Sequence, residues 1–381
     1  MQIEKKTLLD NLTKITSAIK GALLLSPTHI YSVNGVEGVA SFRLDIGVEG
    51  VIKIDGSKLL SILKKMPDDT IDVSYNKEKG EVLVKKGKSR YGFKIIEGTY
   101  TIPNSENNTK LKEFDKDSFA LAVGMTSSIM VKKFTSAFTP FVHYNGKCKR
   151  LEATDRRKLL LYNVDLGDEN FLVSDVVFNS SLKTKPDTIG VSSKWVTLSD
   201  GVVTTMIMNC ASSNTYPDFT PFIEKMELES KSKVVFPPNL EEMLSRVGAF
   251  GLDLNSYFEF KIEDGVMSLS GNSESAWFED KEDVGNSEDV CFKVNSVILS
   301  NALYLGGTAE KFENKITIKG TDWIYMTSLA ETETKNERTE IKVPPPDVET
   351  PVIEVVDETT DVPFDADETS VPEVEESDEW N

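Results

Sequence analysis

Residues 64–73 read KKMPDDTIDV, and residues 183–192 read KTKPDTIGVS. In each stretch a helical pattern stops at a proline and gives way to a strand pattern. Proline lacks the backbone donor a helix needs and pushes the residue before it toward extended geometry. Ile71 and Ile189 lie 118 positions apart, close to the length of one small domain. A second copy at domain spacing restricts the chain to folds built by repetition.

The rest of the sequence carries the repetition further. KKTLLDNLTKITSAIK puts Leu8, Leu12, Ile15 and Ile19 on one face of an amphipathic helix. Short strands follow around 35–50, punctuated by two GVEG turns, and a second helix is expected from Ser57 to Met66. The strands TIDVSY, EVLVKK and SRYGFKII come next. The pattern restarts at Phe114. DKDSFALAVGMTSSIMV predicts a helix with Asp115 or Asp117 as N-cap, and SDVVFNSSLKTK predicts one that ends at Pro186. The strands FVHY, RLEATD and LLLYNVDL lie between them, and TIGVSS, WVTLS and VVTTMIMNC follow. A third restart comes at Phe236, with PPNLEEMLSRVGAF and NSVILSNALYL as the helix pair and YFEFKIE, VMSLSG, KITIKG and WIYMTSL as strands. The expected fold is α+β, three tandem copies of a domain with two helices on antiparallel strands, over 1–112, 113–228 and 229–335.

Charge separates the body from the end of the chain. The net charge of the 381 residues is −19. From Val343 onward there are 14 Asp and Glu and no Lys or Arg, so the body carries only −5. Residues 336–381 are expected to be a disordered acidic tail, because dispersed acids and prolines bury too little apolar surface to offset chain entropy. A domain-wide basic character, the simple mark of a nucleic-acid binder, is absent.

Cys148, Cys210 and Cys291 stand far apart without a CxxC pair, as in a reducing compartment. MQIEKKTLLD has no apolar signal core and no run reaches membrane-spanning length, so a cytoplasmic location is expected. Two histidines, His29 and His143, leave little scope for histidine-based catalysis or metal binding. Neither a GxxxxGK[ST], a GxSxG nor an HExxH string is present. Asp155 and Asp218 are conceivable as a catalytic or metal-binding pair, but each sits beside a turn signal where Asp caps the backbone. No enzyme and no cofactor are expected.

Several strings, in order, resemble the bacterial sliding clamp, the β subunit of DNA polymerase III. They are VIKIDGSKLLSILKKMPDDTIDV with EVLVKKGKSRYGF in the first copy, LEATDRRKL and TYPDF in the second, and WIYMTSL near the end of the third. The resemblance covers residues 1 to about 330. It implies a head-to-tail homodimer closed into a six-domain ring around duplex DNA, opened by a clamp loader and serving a DNA polymerase. Twelve helices, each about 10 Å across, enclose a hole of roughly 28 Å. The departures from the bacterial pattern and the added tail point toward a phage-encoded member.

Under this resemblance, basic residues on the helices line the hole and attract phosphates without reading sequence. They are Lys14, Lys20, Lys58, Lys64 and Lys65 in the first copy, Lys132, Lys133, Lys183 and Lys185 in the second, and Arg246 in the third. The helix NSVILSNALYL brings no basic residue, so the lining is uneven. Lysines on helix faces ordinarily serve solvation alone. The resemblance also implies a partner-peptide cleft between the second and third domains, at Phe138, Thr154, Arg156, Arg157, Leu159, Pro217, Phe222, Ile324 and Met326. Arg156-Arg157 replace the Gly-His of the family and add charge at its rim, which predicts an altered partner preference. The competing reading is a clamp-shaped protein-binding factor that recruits polymerase or repair proteins without encircling DNA.

Overall fold

In the computed structural model the described residues are 1–329, except for 36, 103–109, 130–140, 156, 213–214, 230, 249–256, 273–276, 286 and 296–306. The expected tail, the helix NSVILSNALYL, and Lys132, Lys133, Phe138 and Arg156 lie outside them.

The chain begins with β1 (Gln2–Glu4), α1 (Lys5–Ala18), β2 (Ala22–Leu25), β3 (His29–Asn34), β4 (Gly38–Arg43) and β5 (Ile52–Ile54). Then come α2 (Gly56–Lys65), β6 (Thr70–Asn76), β7 (Glu81–Lys86) and β8 (Ser89–Lys94). The second stretch runs β9 (Lys112–Glu113), α3 (Lys116–Ile129), β10 (Phe141–Asn145), β11 (Arg150–Thr154), β12 (Lys158–Asn163) and β13 (Phe171–Ser174). It continues with α4 (Asp175–Ser181), β14 (Thr188–Val191), β15 (Trp195–Ser199), β16 (Val203–Met208) and α5 (Thr220–Leu228). The third has β17 (Ser232–Val234), α6 (Leu240–Gly248), β18 (Tyr257–Glu263), β19 (Val266–Asn272), β20 (Trp277–Asp283), β21 (Val290–Asn295), β22 (Thr308–Phe312), β23 (Lys315–Lys319) and β24 (Trp323–Ser328).

The proline stretches do the same job twice. In both copies the helix stops before the proline, and the carbonyl just beyond it accepts a hydrogen bond from the start of the repeat. The Lys5 N–H donates to the Asp69 carbonyl at 2.9 Å, and the Phe114 N–H to the Asp187 carbonyl at 3.1 Å. Charge reinforces each closure, through an ion pair of Lys5 with Asp68 and one of Lys116 with Asp187 at 3.0 Å. Caps follow the sequence. Asp55 accepts from the Lys58 N–H at 3.0 Å to start α2, and Asp115, not Asp117, accepts from the Ser118 N–H at 2.7 Å to start α3.

Among the described residues every ladder is antiparallel, and each of the four sheets is made of four-strand blocks of two recurring patterns. One pattern runs β5-β2-β3-β4, recurs as β13-β10-β11-β12, and recurs again as β21-β18-β19-β20. The other runs β8-β7-β6-β1, then β16-β15-β14-β9, then β24-β23-β22-β17. Within the chain the blocks are joined pairwise into eight-stranded sheets. β4 pairs with β16 and β12 pairs with β24. The two remaining blocks end the series, with β8 and β20 as open edges.

Helices α1–α4 and α6 contribute to the large core on one face of the sheets, and α5 lies on the other. α1 packs on β4 and β16 and touches both α2 and α4, while α3 packs on β11 and β12 and touches α4. The largest core lies beneath them, with Leu8, Leu12 and Ile15 of α1 and Phe119 and Val123 of α3 fully enclosed. Because strand side chains alternate, β12 sends Leu160 and Tyr162 into that core and Leu159 and Leu161 to the opposite face. There they meet Met326, Phe312 and the α5 residues Ile223 and Met226 in a second, smaller cluster.

Candidate functional site: the joint of the second and third repeats

The small cluster is the floor of a cleft of about 360 Å³. Its lining includes Thr154, Arg157, Leu159, Phe222 and Met326, so five of the residues expected at a partner site surround one cavity. Ile324 packs against the cluster from below. Pro217 is half-buried in the segment before α5, outside the lining. Four residues that sequence reasoning passed over complete the wall: Lys158, Phe219, Lys315 and Ser328.

Register places the floor. β12 and β24 pair with Leu159 opposite Met326 and Leu161 opposite Ile324, which puts all four on the face away from α3 and toward α5. The turn at residues 155–158 sets the mouth. One oxygen of Asp155 accepts from the N–H groups of Arg157 at 2.9 Å and Lys158 at 2.6 Å, and the Thr154 hydroxyl donates to the Lys158 carbonyl at 2.7 Å. The Arg157 carbonyl then accepts from the Ser328 N–H at 2.9 Å, extending the joint by one rung.

The remaining wall is α5 and the segment before it, held by a buried polar group. Glu152, with no exposed surface, takes a hydrogen bond from Arg150 Nε at 2.6 Å and contacts His143 Nδ1 at 2.8 Å. Arg150 also reaches the Thr220 hydroxyl at 3.3 Å, at the first residue of α5. The His143 ring stacks on Tyr216, whose hydroxyl burial and the nearby Glu152 carboxylate hold well above its ordinary pKa. Tyr216 in turn meets Phe219 edge-on at 5.9 Å.

Asp218 accepts from the Thr220 N–H at 2.9 Å, and this bond keeps its carboxyl below the usual range. Asp155 and Asp218 are therefore both backbone-capping groups. Among the described residues no group of three or more His, Cys, Asp or Glu is arranged to hold a metal ion, and no helix is long and apolar enough to cross a membrane.

The basic residues fall into two sets. Lys20, Lys64, Lys65, Lys183 and Lys185 are exposed and make no ion pair among the described residues. The others are engaged: Lys14 with Asp200 at 2.7 Å, Lys58 with Asp55 at 3.3 Å, and Arg246 with Asp280 through both Nε at 2.9 Å and Nη2 at 2.5 Å. The Lys14 pair links α1 to the β15–β16 turn and so ties the first repeat to the second.

Tandem repeats joined edge to edge, with helices on one face and an apolar cleft on the other, define the class of DNA-clamp folds. The particular fold is that of the bacterial sliding clamp. The DNA polymerase III β subunit of Pseudomonas aeruginosa superposes with a TM-score of 0.72 at 16% identity, over 87% of this chain and 99% of that one. The sliding clamp of Caulobacter crescentus gives 0.72 at 15%, and a putative β subunit from Eubacterium rectale gives 0.68 at 15%, each with the same coverage. No protein-family model and no curated protein matches the sequence.

Proposed function

We propose that this chain is a DNA sliding clamp, a non-enzymatic processivity factor. Two copies join head to tail, a clamp loader opens the ring, and duplex DNA is retained by being encircled. The three clamp domains are residues 1–112, 113–228 and 229–335, and 336–381 follow as an acidic tail. A polymerase docks a short peptide in the cleft at Leu159, Phe222 and Met326.

One observation carries this reading: among the described residues the first and last four-strand blocks are left with open edges at β8 and β20. Every other block of the same two patterns is joined through the equivalent strand. An exposed edge is a template for pairing. Here the two edges are also oppositely charged. Lys86, Lys88, Arg90 and Lys94 lie along β8 and the turn before it, while β20 carries Glu279, Asp280, Glu282 and Asp283 against one cation, Lys281. Pairing β8 with β20 of a second copy, twice, joins these two blocks through the same strands that join the others.

Light scattering tests the assembly. A closed ring has twice the 42.4 kDa chain mass; a monomer at concentrations well above those used for replication assays removes the reading. The engagement of Lys14 and Arg246 by carboxylates favours a second reading, a protein-recruiting factor of clamp fold that does not encircle DNA. Retention on circular DNA separates the two.

A further inference from the structure

Two joints of the same kind lie within the chain, and each sets one pair of side chains on the face away from the large core. At the β4–β16 joint Val39 lies opposite Met206, and at the β12–β24 joint Leu159 lies opposite Met326, all four buried. The β8 and β20 edges carry the same two places. Six residues separate Phe278 from its hairpin partner Gly271, as six separate Leu160 from Ala153. Six likewise separate Tyr91 from Val84, as they do Tyr325 from Ile318. Phe278 therefore stands where Leu160 does and Tyr91 where Tyr325 does, each turned toward the large core. One residue along, facing away from it, Trp277 stands in the place of Leu159 and Gly92 in the place of Met326.

Trp277 is 74% exposed, and its indole N–H has no partner among the described residues. Tryptophan joins a large apolar area to a single donor, and it is enriched where protein surfaces meet. Gly92 offers it a seat. The neighbour of Gly92 on β7 is Leu83, whose Cδ2 lies 3.6 Å from where a Cβ on Gly92 would stand, and Glu81 Oε2 lies 2.6 Å from the same point. Arg90 and Lys94 flank the glycine on the same face, both exposed and neither in an ion pair among the described residues.

We propose that Trp277 of one copy seats on Gly92 of the other, and that this large-on-small pair distinguishes the joint between copies from the two joints inside the chain. This rests on the ring reading and adds the side chain that selects the third joint. The indole crosses the bare backbone at Gly92 to reach Leu83, and its N–H meets the Glu81 carboxylate. Arg90 and Lys94, on the diagonals about 7–8 Å away, reach over the faces of the ring. Mispairing fails in both directions. β20 set against β16 or β24 drives the indole into Met206 or Met326, and β8 set against β4 or β12 leaves a void over Gly92. A second copy fits Trp277 better than a nucleic-acid strand does, because the acids along β20 repel phosphates.

The test is sedimentation of the full chain at several concentrations. Trp277→Leu and Gly92→Met are each expected to raise the dimer dissociation constant about tenfold. The double variant rebuilds the Leu159–Met326 pair at the third joint and is expected to return to within about threefold of wild type. Both positions are exposed and Gly92 has no positive φ, so each single variant should melt like wild type when diluted to monomers. A dissociation constant unchanged in Trp277→Leu overturns the contact and leaves the dimer standing. So do two single effects that simply add in the double variant. A wild-type chain that stays monomeric overturns the ring itself, and this contact with it.

Discussion

His143 lies against Tyr216 with ring centroids 4.5 Å apart and an interplanar angle of 28°. The contact joins a strand of the second repeat to the segment that leads into α5, so it fixes the wall of the cleft from behind. Glu152 anchors it by holding His143 and Arg150 together.

Removing Glu152 leaves a buried cation without its counter-charge, which costs more than the pair contributes. Glu152→Ala is therefore expected to lower stability by about 3 kcal/mol, read from urea denaturation. It is also expected to weaken peptide binding at the cleft, because Thr220 and Phe219 lose their support. Glu152→Gln, which keeps the shape and one acceptor, should retain part of both.

The Lys14–Asp200 pair predicts a pH dependence at the joint of the first two repeats. Burial raises the Asp200 pKa, but its hydrogen bonds from Lys14 and from the N–H groups of Val203 and Val202 outweigh that, and the net shift is downward. A depressed carboxylate stabilises the fold above its unfolded pKa and loses that contribution as pH falls through the folded one. The difference in stability between wild type and Asp200→Asn should be about 1 kcal/mol near neutrality and should shrink below about pH 4. Denaturant midpoints across that range measure it.

Internal joints also predict the register of the intermolecular one. Ala40 pairs with Thr205 and Leu160 with Tyr325. The hairpins align Phe278 with Leu160 and Tyr91 with Tyr325, so Phe278 should face Tyr91 of a second copy and Glu279 should face Arg90. Glu279→Arg should raise the dimer dissociation constant about tenfold, and adding Arg90→Glu should recover most of it. Sedimentation at several concentrations gives both values.

A backbone contact at the joint supplies a further prediction. A Cβ on Gly38 would come 2.7 Å from Ile19 Cδ1 and 3.0 Å from the Met206 carbonyl. Gly38→Val is expected to cost about 2 kcal/mol by overpacking this seam, whereas Gly124→Ala, which meets nothing within 4 Å on α3, is expected to be neutral or stabilising. Thermal melting compares them.

Much of this was legible in the sequence because it depends on local signals. The proline stops, the helix periodicity and the alternating strands of the first two repeats all occur where the pattern places them. α5 was not read: TPFIEKMEL is nine residues with a proline near its start, too short for periodicity to stand out. β20 was missed because WFEDKED carries charge along an open edge, where the usual apolar alternation is absent. At the cleft, Leu159 and Met326 followed from family likeness, but Lys315 and Ser328 did not. Their place beside Arg157 comes from the register of three strands far apart in sequence, which no local pattern encodes. Similarly, the lysines on the helices could be located but not their partners, since Lys14 and Asp200 are 186 residues apart.

The most direct measurement is retention on a nicked circular plasmid after loading, followed by cutting the circle. A ring that holds duplex by enclosure stays bound through a high-salt wash and is released once the DNA is linear. Release from the intact circle by salt alone, or persistence on the linear product, would contradict enclosure.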